Sequence, residues 1–219
     1  MRGREHVVIG VVAIVVGLAT GCGGDADEAE AGGTPVATEI ASSTPLATES
    51  ASPDTAVPMT PSELRAELVE MLEEDQAERT GNAAVWHDRE RAERLAEIVN
   101  EHGWPGYSLV GEEGATAAWA IAQHADHDVA FQEEMLELMT AAVADGEADA
   151  SQLAFLTDRV ATNRDRPQVY GSQIRCVDGE AVPIPIEDEA NVDERRAEVG
   201  LGSLAEYLAG FEEACAAEQ

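Results

Sequence analysis

The chain has 219 residues and carries 13 basic side chains, all of them arginine, against 44 acidic ones, for a formal net charge of -31. That length suits one core with extensions, and so anionic a surface excludes nucleic acid as a partner and disfavours anionic lipid headgroups, because both bind through cations that neutralise phosphates. Cations, cationic peptides and neutral polymers stay open; a high-GC or salt-adapted genome produces the same composition, so charge alone assigns no ligand.

Arg2 and Arg4 precede an uncharged run of 14 residues from Val7 to Thr20, and small residues lead into Gly21 and Cys22. This is the order of a secretory signal, and the run is shorter than the roughly 20 apolar residues a membrane-spanning helix needs. Ala19-Thr20-Gly21-Cys22 resembles a bacterial lipobox. The resemblance implies that residues 1–21 are a lipoprotein signal peptide and that Cys22 is the lipidation point, fastening the protein outside the cytoplasm to the cell membrane. Two or three acyl chains at about 0.8 kcal/mol per buried methylene make such attachment effectively permanent. A plainly cleaved signal with a free Cys22 thiol is the alternative.

Residues 22–60 are rich in Gly, Ser, Thr, Pro, Ala and acids, with an imperfect ten-residue repeat starting at Thr34 and Thr44. They bring no regularly spaced apolar face to offset the entropy of ordering, so they read as a disordered tether. Its r.m.s. reach as a flexible coil is roughly 35 Å.

The folded domain is expected over residues 61–219. Thr60, Pro61 and Glu63 form a capping-box pattern, with Met59 and Leu64 as a hydrophobic staple. Residues 61–79 then repeat apolar side chains at helical spacing. A second helix is expected over residues 84–100, with Val85, Trp86, Ala92, Leu95, Ile98 and Val99 turned to the core. Gly103, Pro105 and Gly106 break the chain and place Trp104 and Tyr107 on a loop. Small residues over 114–125 permit close helix packing, an apolar stripe from Phe131 continues to Val143, and another helix covers residues 151–163. The period then changes from 3.6 to 2. Asp178-Gly179, a pair suited to a type I′ turn, sits between two alternating segments, so a single β-hairpin is expected near residues 168–187. Pro183 and Pro185 confine its second strand to an edge or an early end. Two short helices follow, with capping pairs Asn191/Glu194 and Ser203/Glu206 and with Gly200 and Gly202 between them. The expected class is mainly α, about six helices in one compact domain with a late β-hairpin.

The ordered set His124-Ala125-Asp126 with Asp128 and Gln132, Asp158-Arg159-Val160, Tyr170-Gly171-Ser172-Gln173, "PIPIED" and "VDERRAEVGL" resembles an uncharacterised bacterial domain-of-unknown-function family. The likeness spans roughly residues 84–208. Serine stands at 172 where that pattern has threonine, which keeps the hydroxyl. The resemblance implies no activity and no catalytic roles.

On one continuous helix His124, Asp128 and Gln132, spaced by four, would share a face. A zinc site needs three or four protein ligands, and neither HExxH nor paired CxxC is present; no metal and no cofactor is expected. The local alternative is a helix junction, with Asp126 capping a helix from His127 and His124 at the end of the one before. Candidate catalytic groups are His124, Asp128, Asp158 and Ser172, with His124 the one base available to Ser172. Candidate ligand contacts are Gln132, Arg159, whose guanidinium suits a carboxylate, Tyr170, Gln173 and the loop residue Trp104. Tyr107 and Trp119 read as core. Cys176 and Cys215 are expected to form a disulfide in an oxidising compartment. Two function classes follow: a non-catalytic, lipid-anchored module that binds a ligand or an envelope partner, and an extracytoplasmic hydrolase built on the His/Asp/Gln cluster.

Overall fold

Helix α1 (Pro61–Thr80) begins where the capping pattern requires. Thr60 Oγ1 accepts from the Glu63 amide at 3.3 Å, the Glu63 carboxylate accepts from the Thr60 amide at 2.8 Å, and Pro61 occupies the first helical position, where its missing N–H removes no bond. The computed structural model describes residues 59–81 and 83–217; the expected signal segment, Cys22 and the tether lie outside them. The buried stripe of α1, Leu64, Leu68, Met71 and Leu72, continues one turn further to Asp75. A carboxylate on an apolar stripe must be met by donors from the facing helices.

Helix α2 (Asp88–His102) starts four residues later than the sequence pattern suggests. Val85 and Trp86, expected in the core, are 64% and 55% exposed. Asp88 and Glu90 favour the later start, because acids in a first turn complement the helix dipole. The Trp86 ring covers the Arg79 guanidinium, with Cζ 5.0 Å from its centroid. Ala92, Leu95, Ile98 and Val99 are buried as expected.

Helix α3 (Tyr107–His124), kinked at Gly111, is the centre of the packing. Gly114, Ala115, Ala117, Ala118, Ala120 and Ala122 are all buried, and these short side chains let α1, α2, α4 (Val129–Ala144) and α5 (Ala150–Asn163) all pack against α3. Trp119 meets Phe155 of α5 edge to face, centroids 6.2 Å apart, and Phe155 passes the aromatic chain to Tyr207 at 6.0 Å.

Among the described residues, five helices thus precede a single antiparallel hairpin, β1 (Ile174–Val177) with β2 (Glu180–Pro183), registered from Ile174↔Pro183 to Val177↔Glu180. Asp178 and Gly179 have φ of 51° and 85°, the positive pair a type I′ turn demands. β2 ends at Pro183, which cannot donate to a longer ladder. Three short helices close the chain, α6 (Val192–Glu198), α7 (Leu204–Ala209) and α8 (Glu212–Ala217), with a 3-10 turn at Glu189–Asn191 before them. The domain is mainly α with one late hairpin. Ser203 and Glu206 make the expected capping box; Asn191 does not cap α6, its amide donating instead to Asp188 at 2.9 Å. No helix among the described residues is long and apolar enough to cross a membrane.

A disulfide joins Cys176 on β1 to Cys215 on α8, Cα atoms 5.2 Å apart. Cross-linking positions 39 apart limits the unfolded chain and stabilises by about 4 kcal/mol. Reductant is therefore expected to lower the urea midpoint of the parent and to leave a Cys176→Ser/Cys215→Ser double variant unchanged. Equal midpoints for the parent with and without reductant would count against the bond.

Candidate functional site

The segment from His124 to Gln132 is a helix junction with His124 at the end of α3, as the local reading expected, but the cap of the next helix is Asp128 and not Asp126. α3 ends at His124, a turn intervenes, and Asp128 caps α4 by accepting from the Phe131 amide at 3.1 Å. His124, Asp128 and Gln132 therefore share no helix face, because the turn redirects the chain between them. Asp126 does not cap a helix. It accepts from Arg159 Nη1 at 3.0 Å and from Asn163 at 2.8 Å, both on α5. Gln132 is buried; its amide donates to the carbonyls of Ala122 and Gln123, both at 3.2 Å, and its oxygen accepts from Asn163 at 2.9 Å. This glutamine closes the open C-terminal end of α3.

His124 belongs to a second assembly, between α1, α2 and α3. Its Nδ1 lies 2.9 Å from Asp75 and 3.1 Å from Arg79 Nε, which is itself 3.0 Å from Asp75. A carboxylate is a stronger acceptor than an imidazole nitrogen, so both N–H groups point at Asp75. That leaves His124 Nε2 without a partner among the described residues. Arg79 also reaches Asp88 at 2.7 Å; Arg91 bonds Asp88 at 2.9 Å and Glu78 at 2.6 Å, and Glu78 takes His87 at 2.5 Å. Burial raises the Asp75 carboxyl, but the hydrogen bonds and charges of His124 and Arg79 outweigh it and hold the group below its ordinary range. The Arg91 hydrogen bond, with help from His87, takes Glu78 down to about 2.

Asp158 is the centre of a third. Fully buried on α5, it accepts from the amides of Val169 at 2.7 Å, Tyr170 at 3.0 Å and Ser172 at 2.8 Å. Burial pushes its pKa up against the lowering effect of those amides. Gly171, inside the loop so gathered, has φ of +70° and no room for a side chain; a Cβ would stand 2.8 Å from Ile186 and 2.9 Å from Leu204. The paired arginines of α6 hold the other side. Arg195 bonds the Val169 carbonyl at 3.0 Å, and the buried Arg196 bonds those of Tyr170 at 2.8 Å and Gly202 at 2.6 Å. Ser172 is buried, its Oγ accepts from the Gln173 amide at 3.0 Å, and no hydrogen bond joins it to His124. Tyr170 contributes its backbone to this frame. The side chains of Asp158 and Ser172 are engaged in building the loop, and Asp128 in capping a helix.

Gln173, the residue after that loop, lines a cleft of about 470 Å³ between the C-terminal end of α5 and the hairpin. Arg159, Thr162 and Asn163 come from α5, Asp165, Arg166 and Pro167 from the connection, Gln173, Ile174 and Arg175 from β1 and its approach, and Ile184 and Pro185 from beyond β2. Arg159 is 3% exposed, spends Nη1 on Asp126, and has a buried Nε with no partner. Burial lowers its pKa, Asp126 opposes that, and the charge of Arg79 adds to it. Arg175 Nε is likewise buried and unpartnered. Neither Arg166 nor Arg175 makes a side-chain hydrogen bond or an ion pair among the described residues. Of the sequence-derived ligand candidates, Arg159 and Gln173 meet in this cleft. Gln132 touches it only through Asn163. Trp104, half-buried on its loop, and the side chain of Tyr170 do not line it. Among the described residues no three His, Cys, Asp or Glu side chains converge as metal ligands.

Arg166, Arg175, Asp75 and Arg79 escaped the sequence reading. For the first two a signal existed: Arg159, Arg164, Arg166 and Arg175 put four of the 13 basic residues within 17 positions. Asp75 was concealed in a run of acids that reads as a solvated face.

A family model described as a family of unknown function (DUF6624) matches residues 62–218. Comparison with curated proteins and with solved structures finds no match.

Proposed function

The chain belongs to DUF6624, a family of unknown function, and we propose that it is a lipid-anchored extracytoplasmic module holding a small anionic ligand in the cleft between α5 and the hairpin. One observation carries this reading. In a chain of net charge -31, three arginines line one cleft, two of them make no internal side-chain bond among the described residues, and the buried third keeps a free Nε. An unpaired buried donor costs about 1–3 kcal/mol, and an anion accepting from these groups removes that cost. The size of the cleft is within the roughly 300–1,000 Å³ of small-molecule sites. A binding role is favoured over hydrolysis, because the free nitrogen of His124 belongs to the seam of α1, α2 and α3 and is not among the groups lining the cleft.

The anchor is proposed from Ala19-Thr20-Gly21-Cys22. Full-length protein is expected in the detergent phase on phase separation, with Cys22→Ser moving to the aqueous phase. For the cleft, the full chain in detergent micelles is heated with phosphate, sulfate, and mono- and dicarboxylates, and with matched ammonium ions. At least one anion at about 100 times its dissociation constant is expected to stabilise by about 2.7 kcal/mol, and an Arg159→Met/Arg175→Met variant to lose the response. No anion raising the melting temperature would refute the binding role.

A further inference from the structure

Resting on the anion-binding reading, we propose that the group the cleft takes is a phosphoryl dianion, carried as the monoester of a small molecule with an apolar body. The three guanidinium groups come from three different pieces of chain: Arg159 from α5, Arg166 from the connection and Arg175 from β1. A planar carboxylate offers two oxygens in one plane and is satisfied by one or two forks, whereas a phosphoryl group offers three oxygens around a tetrahedron and can accept from three separate donors. Gln173, Asn163 and Thr162 add neutral polar groups to the same lining. The Asn163 amide already donates to Asp126 and Gln132, the Thr162 hydroxyl to the Arg159 carbonyl and one hydrogen of the Gln173 amide to Ser172 Oγ, so the arginines are the main donors left for the ligand. Ile174, Ile184, Pro167 and Pro185, with the single carboxylate Asp165 in the connection, complete the walls; the apolar four suit the uncharged part of an ester better than free phosphate, which would leave that surface wet. The acidic remainder of the surface repels polyanions, so the fitting ligand carries a single phosphoryl group.

Calorimetric titration of the full chain in detergent with phenyl phosphate, inorganic phosphate, benzoate and succinate tests this. Phenyl phosphate is expected to bind at least ten times more tightly than benzoate or succinate, and more tightly than inorganic phosphate. Its affinity should rise from pH 5 to 7.5 as the ester loses its second proton near pH 6. Arg166→Gln and Arg175→Gln should each weaken it at least tenfold without moving the melting temperature of the free protein, since neither side chain makes an internal bond among the described residues. Vesicles containing phosphatidic acid, a lipid carrying the same monoester, separate the two sources: stronger retention there than of the soluble ester would assign the headgroup. Benzoate or succinate binding as tightly as phenyl phosphate would overturn the phosphoryl assignment and leave the anion cleft standing. Binding of none of them, nor of any other anion, would remove both.

Discussion

Replacing Asp158 by alanine is expected to lower the unfolding free energy by about 4–6 kcal/mol. Three backbone amides, those of Val169, Tyr170 and Ser172, end on this one carboxyl, and each buried donor left without a partner costs about 1–3 kcal/mol. Native domains have about 5–15 kcal/mol in total, so the variant should lose a large share of its stability and unfold at a much lower urea midpoint. Asp158→Asn keeps the volume and one oxygen, and should fall between the two in urea unfolding. A parent-like midpoint for Asp158→Ala would mean that the loop from Val169 to Ser172 does not depend on that carboxyl. The loss would also be felt in the cleft, because Gln173 follows the loop directly and Arg159 neighbours Asp158 on α5.

Asp75→Ala is expected to cost about 3–5 kcal/mol, the range for breaking a buried ion pair by removing one partner. Arg79 and Arg91, with side chains 9% and 6% exposed, would lose a carboxylate that lies 3.0 and 3.6 Å away, and His124 would lose the group that orients it. The sign of the pH dependence follows from the direction of the shifts. Asp75 and Glu78 titrate lower in the fold than in the unfolded chain, Glu78 at about 2. Their contribution is complete above the unfolded carboxylate range near pH 4 and is lost as the pH falls through the folded values. The stability difference between the parent and Asp75→Asn should therefore be constant above about pH 5 and shrink toward pH 2. A difference independent of pH across that range would show that Asp75 gives the fold nothing through its charge.

Most of the fold was legible in the residues because its signals are local. Thr60, Pro61 and Glu63 determine a helix start through bonds made within four positions, Asp178-Gly179 determines a turn through its own backbone preferences, and the small residues of α3 announce close packing wherever the partner lies. The start of α2 was misjudged for a matching reason: Val85 and Trp86 extend the helical period by count, while the acids at Asp88 and Glu90 decide the end.

The site was legible in its ingredients and not in its assembly. Sequence alone determined that His124, Asp126, Gln132, Asp158, Arg159 and Gln173 are polar groups on otherwise apolar segments. Only the tertiary structure decided which of them build and which remain free. Asp126 left the capping role to join Arg159, Asp158 turned inward to gather the amides of a loop, and Asp75 drew His124 into a seam of α1, α2 and α3. Each choice is a hydrogen bond between groups 11 to 49 positions apart, and nothing in local propensity ranks such partners. The unpartnered Nε atoms of Arg159 and Arg175, and their meeting with Arg166 in one cleft, emerge only once the helices and the hairpin are placed, which is why a chain so acidic could conceal a cluster of arginines.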